Sequence, residues 1–508
     1  MLGSILTSRQ TAELHKAIVQ YLEPLLEHDR PALETVACVL DVASSSGDEP
    51  IVARYLEKKW STVLRLQKKI LDLENEVASY KALLQARTES AGAVTVGTLQ
   101  NKIDWLPSAA SAQFPTLSTQ TVNTLAIHPV FPFVVAGCAD GALVAWNLAA
   151  DTAIGPQKQI SAHICGVNRI KWSLLPVDLL QLQAEQHVLA SCSSDLLIKI
   201  WEGDTLTHVR TLTGHEHTVS GLAFSPADAS VLYSVSRDKA VKIWDMSTGL
   251  CMHSFVGHSD WVRDLDVVLV NVSLALETAK RSSLGGFVLT CSNDQSVRLS
   301  HALLGTGLAL LLGHTHVVEA VRFLPMRSNS YIDKHILAHP ARYADYILDA
   351  VVNNPLYGET LGFKYCVSAG RDNAVKLWLL PPPVLVPNRP PQPSQHNNSQ
   401  GWHVADILGH LSWIRAIDVH PSGRYIFTGS DDKTVRVWDL ACLPGLAQPT
   451  CVSVLLAHNG FVNCIEMAKF GWPEHVPRAD ADELAVVETN MRCLFASAGT
   501  DNTVKIWS

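Results

Sequence analysis

One phrase constrains this 508-residue chain more than any other feature. An Asp is followed six positions later by Trp at Asp140, Asp195, Asp238, Asp372, Asp432 and Asp501, and a seventh copy at Asp294 carries Ser300 in place of the Trp. Between them runs an alternating stretch such as AVKIWD at Ala240–Asp245 or TVRVWD at Thr434–Asp439. Alternation of this kind marks a strand with one buried face. Upstream of six copies stands a His four residues before a Val or Ile, at His163, His215, His258, His314, His410 and His458, with Ser118 at the corresponding place in the first. Seven copies of one supersecondary unit predict a mainly β chain closed into a seven-bladed propeller over residues 113–508. Seven equivalent carboxylates cannot form one active centre, so the repeated Asp is read as structural.

An open ring would leave strand edges exposed. The repeats resemble the WD-repeat family, whose members take the outer strand of the last blade from the start of the domain, and this resemblance implies that residues near Gln113–Ser118 supply it beside Leu494–Trp507. Unequal His-to-Asp spacing predicts insertions near Val267–Gly286, Pro325–Phe363, Leu380–Gly401 and Phe470–Met491. The third, PPPVLVPNRPPQPSQHNNSQG, is Pro-rich and polar, which predicts a mobile loop. Loss of its Trp marks the fourth blade as the weakest.

The first hundred residues follow a different rule. Residues 1–45 predict a small helical unit, with Leu14, Ile18, Tyr21, Leu22 and Leu25 on one face and Pro24 and Pro31 dividing it into short pieces. Such a unit buries little apolar surface alone and is expected to pack on a second copy. Residues 55–86 obey a heptad, with Leu56, Val63, Ile70, Val77 and Leu84 at a and Leu66, Leu73 and Tyr80 at d. Val and Ile at a with Leu at d favour a parallel pair of helices. Lys69 against Glu74 and Glu76 against Lys81 attract in that arrangement, so the predicted state is a parallel homodimer. Residues 87–112, rich in Gly, Ser and Ala, form a linker.

Composition removes several functions. A formal charge of −8 gives no field to attract nucleic acid or anionic lipid. No apolar run approaches the length of a membrane span, so no direct membrane insertion is expected. The start of the chain lacks the pattern of a secretory signal. The eleven cysteines occur without a CxxC pair, which predicts buried free thiols in place of disulfides or a zinc site. No P-loop, HExxH or nucleophile-elbow pattern is present, and neither an enzyme nor a cofactor is expected.

The blade phrases resemble the WD-repeat family. That resemblance implies a buried hydrogen-bonded set of His, Asp, a strand Ser or Thr, and Trp: His215, Asp238, Ser234 and Trp244 in the third repeat, and His410, Asp432, Thr428 and Trp438 in the sixth. With ELHKAIVQYL, LEKKWSTVLRLQKK, GHSDWVRDL and GHLSWIRAI, the whole chain resembles the nuclear distribution proteins of the lissencephaly family. The resemblance implies an N-terminal LisH unit and regulation of cytoplasmic dynein. Partners would be the dynein heavy-chain motor domain and a NudE-type coiled-coil adaptor, and the setting would be the cytoplasm, microtubules and spindle pole, in nuclear migration and spindle positioning. Carried over by motif, the motor-binding residues are Arg237, Arg263, Arg371, Trp413 and Lys433, with Trp261 beside them. A G-protein β-like subunit, and a nuclear LisH/WD-repeat corepressor or ubiquitin-ligase adaptor, are the alternative readings.

Overall fold

A computed structural model describes residues 15, 18, 19, 22, 30–40 and 106–508, except 116–119, 149–157, 178–185, 204, 227, 270–285, 344–353, 358–360, 386–390, 395–398, 446–447 and 469–493. Residues 1–100 and 101–508 are separate compact units. In the first, His15, Ile18, Val19 and Leu22 are helical, and a second helix spans Arg30–Val39. His15 Nδ1 lies 2.9 Å from the Leu40 carbonyl, tying the two pieces together. Pro31 starts the second helix, where a missing N–H costs nothing. The heptad residues Leu56 to Leu84 lie outside the described residues.

The second unit contains seven four-stranded antiparallel sheets. Their inner strands are Val122–Ile127, Val167–Trp172, Val219–Phe224, Val262–Leu269, Val318–Phe323, Ile414–Val419 and Val462–Met467, and each touches the next until the seventh meets the first. This is a closed seven-bladed propeller. Between the sheets lie close-packed clusters of Val, Ile, Leu and aromatic side chains.

Ring closure follows the expected exchange with tighter bounds. Ala112–Pro115 pairs antiparallel with Thr503–Trp507, so the strand begins one residue inside the predicted linker. Its buried Phe114 packs 5.8 Å from Trp146 of blade one, and Leu106 and Ala110 pack on the core of blades six and seven. The last blade therefore binds both chain ends of the propeller and the first blade.

Two local devices recur. After each blade Asp the backbone turns left-handed, at Gly141, Leu196, Lys239, Gln295, Asn373, Lys433 and Asn502, with φ between 60 and 88°. Such angles disfavour most residues. The Asp carboxylate offsets that cost by accepting the N–H two positions on, as Asp238 does from Ala240 at 2.9 Å. Secondly, every inner strand carries one extra residue against its neighbour: Asn123, Asn168, Ser220, Arg263, Glu319, Arg415 and Asn463. A bulge of this kind lifts its side chain out of the ladder and re-aims it.

Of the four expected insertions, Phe470–Met491 lies outside the described residues, as do residues 270–285 of the first, and the described parts of the second and third are in places ordered. The inner strand of blade four continues to Leu269, so that insertion starts later than expected. Within Pro325–Phe363, the helix Asn329–Ala338 buries Ile332 and Ile336. Ser328 donates to the Gly423 carbonyl at 2.6 Å and His335 Nδ1 lies 2.7 Å from the Leu443 carbonyl, so this blade-five insertion grips blade six. In the Pro-rich segment, Pro381, Pro382 and Pro383 are buried and Val384 bridges Gln392, so its first residues are packed, while Val384, Leu385, Gln392 and Pro393 are exposed and residues 386–390 and 395–398 lie outside the described residues. Three adjacent prolines present apolar rings with no N–H to satisfy, which makes them inexpensive to bury. The same segment returns to pair Gln400 with Leu310 on the outer edge of blade four, the blade that lacks Trp.

All ten described cysteines are free, but only Cys138, Cys192, Cys291, Cys366 and Cys464 are buried. Cys38, Cys165, Cys251 and Cys451 are exposed, which corrects the expectation of uniform burial. Cys251 and Cys451 stand on outer strands, where alternate side chains face solvent.

Candidate functional site

The blade Asp residues define the geometry on which any site must be built. In blade three, His215 Nδ1 lies 2.7 Å from Asp238 Oδ2 and Nε2 lies 2.7 Å from Ser234 Oγ, while Trp244 Nε1 donates to the same Oγ at 2.8 Å. A neutral imidazole satisfies every partner: Nδ1–H donates to the carboxylate, and Nε2 accepts the hydroxyl proton. Blades two, five, six and seven repeat the set with His163–Asp195, His314–Asp372, His410–Asp432 and His458–Asp501. Blade four keeps His258–Asp294 and His258–Thr290, each at 2.9 Å, without an indole donor. In blade one, Asp140 has no His and accepts from Ala142 at 3.0 Å. Burial works to raise the Asp238 pKa, but the His215 hydrogen bond and the Glu216 and Ala240 N–H groups hold it at about 2.

Because each carboxylate also accepts the N–H of the residue after its His, as Asp238 does from Glu216, the His loop and the Asp hairpin meet at one end of each blade. Three rim positions follow: the third residue after His, the bulge at the fifth, and the residue before Asp. The backbone joins the first to the last, as Asn293 N donates to the Trp261 carbonyl at 2.9 Å and Asp431 N to the Trp413 carbonyl at 2.9 Å.

From blade three to blade seven these positions form one arc. Arg237 lies 5.2 Å from the Trp261 ring across the blade boundary, and Arg263 stacks on the same ring at 3.7 Å. Arg263 Nε donates to Asn293 Oδ1 at 2.7 Å, and its Nη1 pairs with Glu319 Oε2 at 3.6 Å. Glu319 Oε1 accepts from Arg371 Nε at 2.5 Å. Arg371 in turn lies 4.5 Å from the ring of Trp413, which is 38% exposed. One blade further, Arg415 pairs with Asp431 and lies 5.8 Å from the Phe461 ring. Burial pulls the Arg263 pKa down against the opposing pull of Glu319. Burial also opposes charge on Arg415, but Asp431 outweighs it and raises the pKa.

The structure thus brings together Arg237, Trp261, Arg263, Arg371 and Trp413. Lys433 stands apart on the hairpin tip of blade six, exposed and left-handed. Sequence reading missed Glu319, Arg415 and Phe461, although aligning the phrases on His places Glu319 where Arg263 and Arg415 stand in the flanking blades.

It also missed a second cluster. Lys171 of blade two reaches Glu466 of blade seven at 2.5 Å, and Arg169 of blade two reaches Asp264 of blade four at 3.4 Å. Each pair skips a blade, which inner-strand side chains can do only across the axis. Arg322 also pairs with Asp264, at 2.6 Å. Burial opposes its charge, yet Asp264, Asp266 and Asp418 raise its pKa. The Lys171–Glu466 and Arg169–Asp264 pairs fasten non-adjacent blades, and Arg322 ties blade five to the same Asp264. Among the described residues no group of His, Cys, Asp or Glu is arranged to hold a metal ion, and no helix is long and apolar enough to cross a membrane.

Seven blades, five of them locked by a full set of His, Asp, Ser or Thr, and Trp, define a WD-repeat β-propeller protein. The family model "WD domain, G-beta repeat" matches residues 206–245 and 401–439, which belong to blades with complete sets. Curated relatives match far more. A nuclear distribution protein PAC1 from Meyerozyma guilliermondii is 52% identical, covering 99% of this chain and 100% of the relative. Proteins of the same name from Scheffersomyces stipitis and Debaryomyces hansenii are each 50% identical over 99% or more of both chains. The chain belongs to the nuclear distribution protein PAC1 family of lissencephaly-type WD-repeat proteins.

Proposed function

We propose that this chain is a non-catalytic regulator of cytoplasmic dynein in nuclear distribution. It acts as a parallel homodimer joined through residues 1–45 and 55–86, and each propeller binds the dynein heavy-chain motor domain through the arc from Arg237 to Trp413. A NudE-type coiled-coil adaptor assists recruitment, and the work is done in the cytoplasm on microtubules and at the spindle pole. One observation carries the reading: guanidinium groups stacked on Trp261 and Trp413 along one rim, in a chain matched over its length by nuclear distribution proteins. Stacked Arg and Trp suit a protein interface because they combine apolar contact with directional bonds. Nothing in a paired His–Asp set needs a substrate.

The test is a pulldown of recombinant dynein motor domain with wild type and with the Arg263→Ala, Trp413→Ala double variant. Wild type binds and the double variant loses at least ~10-fold in affinity, the scale of two interface anchors. Equal binding by both proteins removes the arc from the interface. Absence of binding by wild type removes dynein as the partner.

A further inference from the structure

The arc contains one acidic residue that touches two of its cations. Glu319 is the bulge residue of blade five, and its side chain is only 12% exposed. Its two carboxylate oxygens go to different partners: Oε1 to Arg371 Nε at 2.5 Å and Oε2 to Arg263 Nη1 at 3.6 Å. Each guanidinium is meanwhile stacked on an indole, Arg263 on Trp261 at 3.7 Å and Arg371 on Trp413 at 4.5 Å. Asn293 takes Arg263 Nε at 2.7 Å. Among the described residues, Nη2 of Arg263 and both Nη groups of Arg371 are left without a hydrogen-bond acceptor.

A guanidinium held by one edge and one face offers its remaining edge in a fixed orientation, which is the geometry for pairing with a carboxylate. A surface built only for net charge would not place a largely covered Glu between its two Arg residues. We propose that Glu319 is a positioning residue that holds Arg263 and Arg371 together on their indoles, so that their free edges receive carboxylate side chains of the protein partner. This rests on the reading of the arc given above. Glu319 sacrifices charge for orientation: it offsets one of the two positive charges but removes the side-chain freedom that binding would otherwise have to freeze.

The sign of the effect separates this role from simple charge. For an acidic partner, removing a carboxylate from the receiving face should tighten binding if only net charge matters. The experiment measures motor-domain affinity and its salt dependence for full-length wild type, Glu319→Ala and Glu319→Gln, with thermal melts to establish folding. Glu319→Ala binds ~10-fold more weakly despite its added positive charge, and Glu319→Gln, which can still accept from Arg371, stays within ~3-fold of wild type. Glu319→Ala binding as tightly as wild type, or more tightly, overturns the proposal. If wild type itself does not bind the motor domain, the dynein reading fails by itself, and the positioning role is then decided by crystal structures of the two variants. Arg371 leaving Trp413 in Glu319→Ala but not in Glu319→Gln supports it, and Arg263 and Arg371 keeping their places in Glu319→Ala overturns it.

Discussion

In blades seven, one and two the bulge residue is Asn463, Asn123 or Asn168, and its amide donates to the first inner-strand carbonyl of the next blade, at 2.8, 3.0 and 2.7 Å. Ser220 of blade three does the same to Val262. In blades four, five and six the same position holds Arg263, Glu319 and Arg415, which bind other charged side chains of the rim. The backbone device is identical around the ring, since each bulge interrupts the ladder one residue after a Val or Ile. Only the side chain differs. Over four blades the bulge stitches neighbours together, and over three it displays charge. A symmetric fold thereby acquires one chemically distinct arc without any change of topology.

The strongest challenge to this contrast attacks what both arcs share. Asp238→Ala in the stitching arc and Asp372→Ala in the charged arc should each cost about 2–4 kcal/mol in denaturant unfolding, because each strands a buried imidazole donor and backbone N–H groups. Asp372→Ala should also weaken motor-domain binding by displacing Glu319 and Arg371, whereas Asp238→Ala should do so less. Acid provides a second reading of the same group. The folded Asp238 pKa of about 2 lies below its ordinary 3.8, so its stabilisation is complete above about pH 4 and is lost as pH falls through 2. Asp238→Asn should flatten that limb of the stability curve, and an unchanged acid limb would show that other carboxylates set it.

A smaller effect tests the stitch. Asn168→Ala and Asn463→Ala should each lower stability by about 1 kcal/mol, the net value of a hydrogen bond, and leave motor-domain binding unchanged. Smaller still in stability is Arg415→Ala, at less than about 1 kcal/mol for a partly exposed pair with Asp431, but here binding should fall several-fold. Should Arg415→Ala destabilise more than Asn168→Ala while binding normally, the two arcs do not divide the work as described.

Much of the fold was legible because each blade repeats its own local chemistry. The Asp–Trp phrase located seven strands and turns, the missing Trp at Ser300 singled out blade four, and the resemblance to WD-repeat propellers located the closing strand near Phe114. The rim was legible only in part. Arg263, Arg371 and Trp413 stand in recognisable phrases, but the sequence carries no mark that Glu319 lies between two of them, 56 positions after Arg263 and 52 before Arg371. The insertions were located by spacing alone, and neither the helix Asn329–Ala338 nor the burial of three prolines could be read from composition, since both depend on the surface they meet.

By itself the sequence determined how many blades there are, which side chains lock each one, and how the ring shuts, because those interactions join residues within one repeating unit or at its two ends. The tertiary structure decided which bulges stitch and which display charge, where Glu319 reaches, and how Arg169 and Lys171 cross the axis. Those contacts join residues of different blades, and their distances are set by the angle at which one packed sheet lies against the next.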